Sequence, residues 1–188
     1  MRSVAAEQRN RIHPYKFNLW VAISSIMMMF AGLTSAVIVK RNQAGWTGFE
    51  LPSIFWISTA AMVLSSVTII MAIRFFKQRK IQQYRIFFIA TLLLGVLFIA
   101  LQLIGFKQLY AQGLPLQKNV AYSFLYVIVG LHVVHILGGS IVMLWMNIKS
   151  YSNKAKQYSA VPLEVMGIYW HFVDFLWLYL LLFLNLIK

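Results

Sequence analysis

Five long apolar runs, joined by short polar and mostly basic connections, constrain this chain more than any other feature. They cover residues 17–39, 52–73, 86–106, 121–148 and 164–187. A helix needs roughly 20 apolar residues to cross a bilayer, and in lipid it satisfies its own backbone hydrogen bonds. Strands do not fit, because a membrane barrel alternates polarity in segments of about ten residues and these runs are apolar on every side. The expected fold is an all-α integral membrane protein: one domain over residues 1–188, a bundle of five transmembrane helices. Charged residues are 11% of the chain, against about 25% in soluble domains. Five spans leave no room for a folded ligand-binding or nucleotide-binding domain. The chain has no cysteine, which excludes disulfides, thiolate-held iron–sulfur clusters and cysteine zinc sites.

The first run is read as a retained helix. It is longer than a signal-peptide core of about 7–15 residues, and no small-x-small cleavage site follows it. Pro52 is expected in the first turn of the second helix, where its missing N–H costs nothing. Orientation follows from the basic residues. Arg2, Arg9, Arg11, Lys16, Arg74, Lys77, Arg79, Lys80, Arg85, Lys149, Lys154 and Lys156 fall on one side; Lys40, Arg41, Lys107, Lys118 and Lys188 fall on the other. Positive charge stays cytoplasmic, so residues 1–16 form a cytoplasmic N-terminal segment and the C-terminus lies outside. The net charge of +13 is thus an orientation signal, and no nucleic-acid partner is expected. Arg74, Lys77, Arg79, Lys80 and Arg85 suit anionic lipid head groups as well as they suit topology.

Ionisable groups at bilayer depth are costly and are functional suspects by default. Asp174 lies about 15 Å from the cytoplasmic end of the fifth helix at 1.5 Å per residue. Glu164, Gly167, His171 and Asp174 share one helical stripe. The fourth helix carries His132 and His135, three residues apart, followed by Gly138-Gly139-Ser140, small enough to let another helix approach. The stripes of helices four and five are therefore expected to face each other, with Asp174 meeting His135 directly or through a neighbour. His132 and His171 differ in depth by about 14 Å, too far for two ligands of one haem iron, and His135 narrows the gap only to about 9 Å. A metal cluster of His135, His171 and Asp174 has too few ligands at one depth. A buried polar network that pairs two helices is the favoured reading, with a proton relay beside it. Met27, Met28 and Met29 are consecutive, point in different directions and read as packing filler. Trp20, Trp46, Trp56, Trp145, Trp170 and Trp177 read mostly as interfacial belt residues.

The segment Glu164-Val-Met-Gly-Ile-Tyr-Trp-His-Phe-Val-Asp-Phe-Leu-Trp resembles the last helix of subunit III of haem–copper oxidases. Gly130-Leu-His-Val-Val-His-Ile-Leu-Gly-Gly is similar to that family's G-L-H-V segment, and Phe30-Ala-Gly-Leu matches its F-x-G-L stretch. Five spans correspond to the short bacterial form, which lacks the first two helices of the long form. The resemblance implies an accessory subunit of cytochrome c oxidase in the bacterial inner membrane. Such a subunit packs on subunit I beside subunit II and others, binds phospholipid, and supports proton uptake and turnover stability in aerobic respiration. It implies no catalytic, metal or cofactor-binding residue in this chain, with haem and copper in partner subunits. His132, Glu164, Trp170, His171 and Asp174 carry over as structural or lipid-cleft positions, joined by His135 from the polar stripe. Many members have a glutamate where this chain has Ile26, so any role of that carboxylate is absent here. Loss of the first two helices removes one wall of the lipid cleft. The alternatives are subunit III of a quinol oxidase or of a nitric oxide reductase and, from a different class, an independent proton-coupled transporter.

The charge bias yields a direct test of topology. An accessibility tag after Lys188 is expected to be labelled from outside in intact cells. Labelling only after permeabilisation would mean an inverted insertion or an even number of spans.

Overall fold

The structure is a computed structural model that describes residues 14–41, 51–113, 119–151 and 160–187. These residues form five helices: α1 Pro14–Arg41, α2 Ile54–Lys77, α3 Ile81–Ala111, α4 Val120–Ser150 and α5 Val161–Ile187. All five are long and apolar enough to cross a membrane. Each apolar run lies within its helix except at the start of the second. There Pro52 sits two residues ahead of α2 and offers its carbonyl to the Phe55 N–H at 3.1 Å. Its contribution is an acceptor for the entering turn rather than a first-turn position.

The helix ends have local causes. Asn119 has extended backbone, and its side chain accepts from the Ala121 N–H at 2.9 Å, capping α4. Gly113, at φ 74°, follows the end of α3, where the left-handed conformation suits a glycine. Between α2 and α3 the chain reverses within three residues. Arg79 takes φ 61°, and Lys80 N–H bonds back to the Phe75 carbonyl at 3.0 Å. This left-handed cap holds α2 and α3 as a close hairpin.

Helices α2, α3, α4 and α5 close a ring in which α5 returns to pack against α2. Helix α1 lies outside, touching only α4 and α5. The ring encloses the main core, which includes Phe55, Met62, Phe88, Phe98, Ile136, Trp170, Val173 and Trp177. A second cluster fixes α1 in its groove, with Phe30 and Val37 packed among Ile128, Leu176, Leu180 and Ile187. Ile26 adds to this cluster as an ordinary apolar contact. Met29 also packs there, while Met27 and Met28 point outward.

The six tryptophans divide differently from the belt expectation. Trp20, Trp56 and Trp145 are exposed near helix ends, and Trp46 lies outside the described residues. Trp170 and Trp177 are completely buried. Their α5 stripe faces the ring interior, so they are core and not interface residues.

Two glycines show how closely the ring is drawn. A Cβ at Gly95 would come within 2.8 Å of Trp170 Cη2, and one at Gly139 within 2.9 Å of Tyr169 Cε1. Gly138 and Gly130, by contrast, have open space beside them, so only one member of the Gly138-Gly139 pair is needed for close approach. Overpacking a rigid, buried ring typically costs about 1–3 kcal/mol. Gly95→Ala is expected to lower the unfolding temperature in mild detergent by that mechanism, while Gly130→Ala stays within about 0.5 kcal/mol of the parent. Equal behaviour of the two variants would contradict the packing described.

Candidate functional site

Helix α2 carries hydroxyl pairs seven residues apart, Ser58-Thr59 and Ser65-Ser66. Two helical turns separate the pairs, so they share one face. On α5, Trp170 and Trp177 are also seven apart, and antiparallel packing brings the two series into register. Trp170 Nε1 donates to Ser65 Oγ at 3.0 Å, and Trp177 Nε1 donates to Thr59 Oγ1 at 2.9 Å. Ser65 donates in turn to the Met62 carbonyl and Thr59 to the Phe55 carbonyl. Each hydroxyl thus returns its proton to its own helix and offers a lone pair across the seam. Ser58 does the same toward α3, accepting from Gln102 Nε2 at 2.8 Å.

Ser66 has a different assignment. Its hydroxyl donates to Asp174 Oδ2, and its oxygen lies 3.1 Å from His171 Nδ1. A hydroxyl has one proton, so with that proton on Asp174 the imidazole Nδ1–H is the donor in the second contact. Asp174 is 6% exposed, and its Oδ1 has no hydrogen-bond partner among the described residues. His171 and Asp174 therefore meet on α2, through one serine.

The expected pairing of Asp174 with His135 does not occur. His135 Nδ1 bonds the Leu131 carbonyl of its own helix at 2.7 Å, and the His135 carbonyl accepts from Tyr169 OH at 3.0 Å. Depth alone placed the two residues within reach; the ring turns the polar stripe of α5 toward α2 and presents Tyr169 to α4. His132 is wholly buried against Trp177, with ring centroids 5.2 Å apart and nearly stacked, and meets Phe98 edge-on at 5.8 Å. Neither of its ring nitrogens has a partner among the described residues. No group of three His, Asp or Glu side chains that could hold a metal is found among the described residues.

Glu164 stands apart from this network, at the basic end of the bundle. Its Oε1 lies 2.9 Å from Lys77 Nζ, and its Oε2 lies 3.3 Å from Lys16 Nζ. The first turn of a helix favours a negative charge. One carboxylate thus ties α1, α2 and α5 together. Nearby, Arg85 donates to the Ser150 carbonyl at the end of α4, its guanidinium 4.4 Å over the Tyr151 ring. The start of α1, the α2–α3 turn, the end of α4 and the start of α5 therefore share one end, as the alternation of basic segments requires.

At this end a cavity of about 700 Å³ lies between α1, α4 and α5 and is closed by Phe76, Ile81 and Tyr84 of the α2–α3 hairpin. Tyr15 and Leu19 form one wall, Gly138, Val142 and Trp145 a second, and Met166 and Tyr169 a third. Lys149 also lines it, its Nζ 4.8 Å over the Trp145 ring. The volume lies within the range of about 300–1,000 Å³ typical of small-molecule sites, and the walls are mostly apolar. Sequence reading missed the α2 hydroxyls and the two lysines on Glu164. The seven-residue recurrence of paired hydroxyls, in step with the two tryptophans, was the available signal.

The family model described as cytochrome c oxidase subunit III matches residues 15–187. A probable quinol oxidase subunit 3 of Staphylococcus aureus (strain USA300) is 26% identical over 171 residues, spanning 88% of this chain and 85% of the relative. A probable quinol oxidase subunit 3 of Staphylococcus saprophyticus is 25% identical over the same length and coverage.

The seam between α2 and α5 makes a graded prediction for thermal stability in detergent. Thr59→Val leaves the neutral indole N–H of buried Trp177 without its acceptor, with an expected cost of about 1 kcal/mol, the low end for a stranded buried group. Ser66→Ala leaves a buried carboxyl without its donor, with an expected cost of about 1–3 kcal/mol. Equal costs would mean that Asp174 is satisfied by some other group.

Proposed function

The chain belongs to the cytochrome c oxidase subunit III family, and we propose that it serves as the accessory subunit of a haem–copper terminal oxidase. In this reading it packs on the haem- and copper-bearing subunit I, beside subunit II, in a bacterial cytoplasmic membrane. Its N-terminus faces the cytoplasm, and the chain itself carries no catalytic group. The observation that carries the accessory role is the destination of the family motif in α5. Trp170, His171, Asp174 and Trp177 all direct polar atoms at hydroxyls of α2. That use of polar groups sets the packing of a helix, and with it the surface offered to neighbouring subunits and lipid.

For the electron donor we favour a quinol, on the names of the two Staphylococcus relatives. Cytochrome c is the second reading, supported by the description of the family model. The donor site itself belongs to other subunits. We assign the cavity between α1, α4 and α5 to an acyl chain of a membrane phospholipid, because its walls are apolar and Lys149 lies on its lining at the basic end of the bundle. A lipid there would help the subunit sustain the oxidase through repeated turnovers.

Extraction of native membranes in mild detergent is expected to yield this chain with a larger haem-bearing subunit, in a complex that oxidises a quinol. Asp174→Asn preserves shape and an acceptor for Ser66, so the first turnovers are expected at the parent rate. Asp174→Leu removes the acceptor, and faster loss of activity over repeated turnovers, or weaker retention of the chain, is expected. Abolition of the first turnovers by Asp174→Asn, in an intact complex, would replace the structural role with a proton relay. A folded chain that purifies alone would contradict the accessory reading altogether.

A further inference from the structure

We propose that the Lys16–Glu164–Lys77 bridge is a latch on the cavity between α1, α4 and α5, and that its opening lets the first turns of α1 move aside for exchange of the occupant. The proposal rests on reading that cavity as a lipid site. Helix α1 packs on α4 and α5 alone. Its apolar cluster with that groove extends from Ile26 to Val37, in the part of the helix remote from the basic end. Closer to the basic end, Tyr15 and Leu19 line the cavity. Helix α1 is therefore seated along its far part, keeps Leu19 and Ile23 buried nearer the basic end, borders the cavity with Tyr15 and Leu19, and is tied to α5 there by Lys16.

The two halves of the bridge differ in role. Glu164 is held on α5 by Lys77 at 2.9 Å and by the favourable field of the helix N-terminus. Pro162 and Leu163 before it and Val165 and Met166 after it line the cavity, so the carboxylate stands beside the cavity wall without itself lining it. Lys16, at 3.3 Å, is the partner that can leave with α1. The side chains of Lys16 and Glu164 are 39% and 27% exposed, so water and salt reach the pair. Ion pairs in such settings are weak and screened by salt. A contact of this strength opens often and closes again, as exchange requires.

The test uses the whole oxidase complex in nanodiscs of phosphatidylglycerol and phosphatidylcholine. This chain has no native cysteine. Spin labels are therefore introduced into it at Phe17→Cys and Ile148→Cys, both exposed positions toward the basic end of the bundle, before it is assembled with its partner subunits. Exchange is followed with deuterated phosphatidylglycerol by native mass spectrometry. In Glu164→Gln the distance between the labels is expected to lengthen and broaden. Exchange of the retained lipid is expected to speed up about three- to fivefold, the scale of one exposed ion pair. Lys16→Met should reproduce both effects, and Lys77→Met should produce them more weakly. A parent complex that retains a lipid, with exchange and label distance unchanged in Glu164→Gln and Lys16→Met, would overturn the latch alone. A parent complex that retains no lipid would overturn the lipid reading and the latch with it.

Discussion

Without water in the bilayer core, a polar side chain there is costly unless it finds a partner on another helix or on its own backbone. The seam between α2 and α5 is the fullest solution to that constraint in this fold. Ser and Thr suit it because a hydroxyl both donates and accepts. On α2 they bond carbonyls of the preceding turn and still receive indole N–H groups from α5. Interhelical bonds of this kind average about 0.6 kcal/mol each, so their sum is modest beside the packing of Trp170 and Trp177. Their larger effect is on register. A slip of one residue along the seam would separate both tryptophans from their acceptors at once.

The seam also determines what the remaining helices do. With α5 drawn onto α2, the ring closes, and the face of α5 between α4 and the exterior becomes the seat of α1. Tyr169 turns to the α4 backbone and Tyr179 to Thr34 of α1. Glu164, one turn into α5, is carried to the end where Lys16 and Lys77 wait. The cavity lies at that same end, bordered by Tyr15 and Leu19 of α1. Thus the polar motif at the heart of α5 fixes both a core and a peripheral space.

Much of the architecture was legible in the sequence because it follows from length and hydropathy. Five apolar runs gave five helices, and the alternation of basic segments put the correct helix ends together. The motif around Asp174 and the similarity of the α4 segment pointed to the family that residues 15–187 match. The partner of Asp174 was not legible. Depth can be counted along a helix from the rise per residue, but the direction in which a side chain points depends on how the helices close in space. Asp174 and His135 were near in depth, yet a four-helix ring turns them to different neighbours. Serines in an apolar helix also draw little notice, since each can be satisfied locally. Trp170 and Trp177 were misread for a related reason: tryptophan is common at membrane interfaces, and only burial within the ring distinguishes a core indole from a belt indole.

Cysteine cross-linking in native membranes tests the central claim, that the polar stripe of α5 faces α2, most directly. In the cysteine-free chain, the pair Ser66→Cys with Asp174→Cys is expected to form a disulfide under mild oxidation, and the pair His135→Cys with Asp174→Cys is expected to remain reduced. Ready cross-linking of the second pair, with the first unreactive, would place the stripe against α4 and contradict the account.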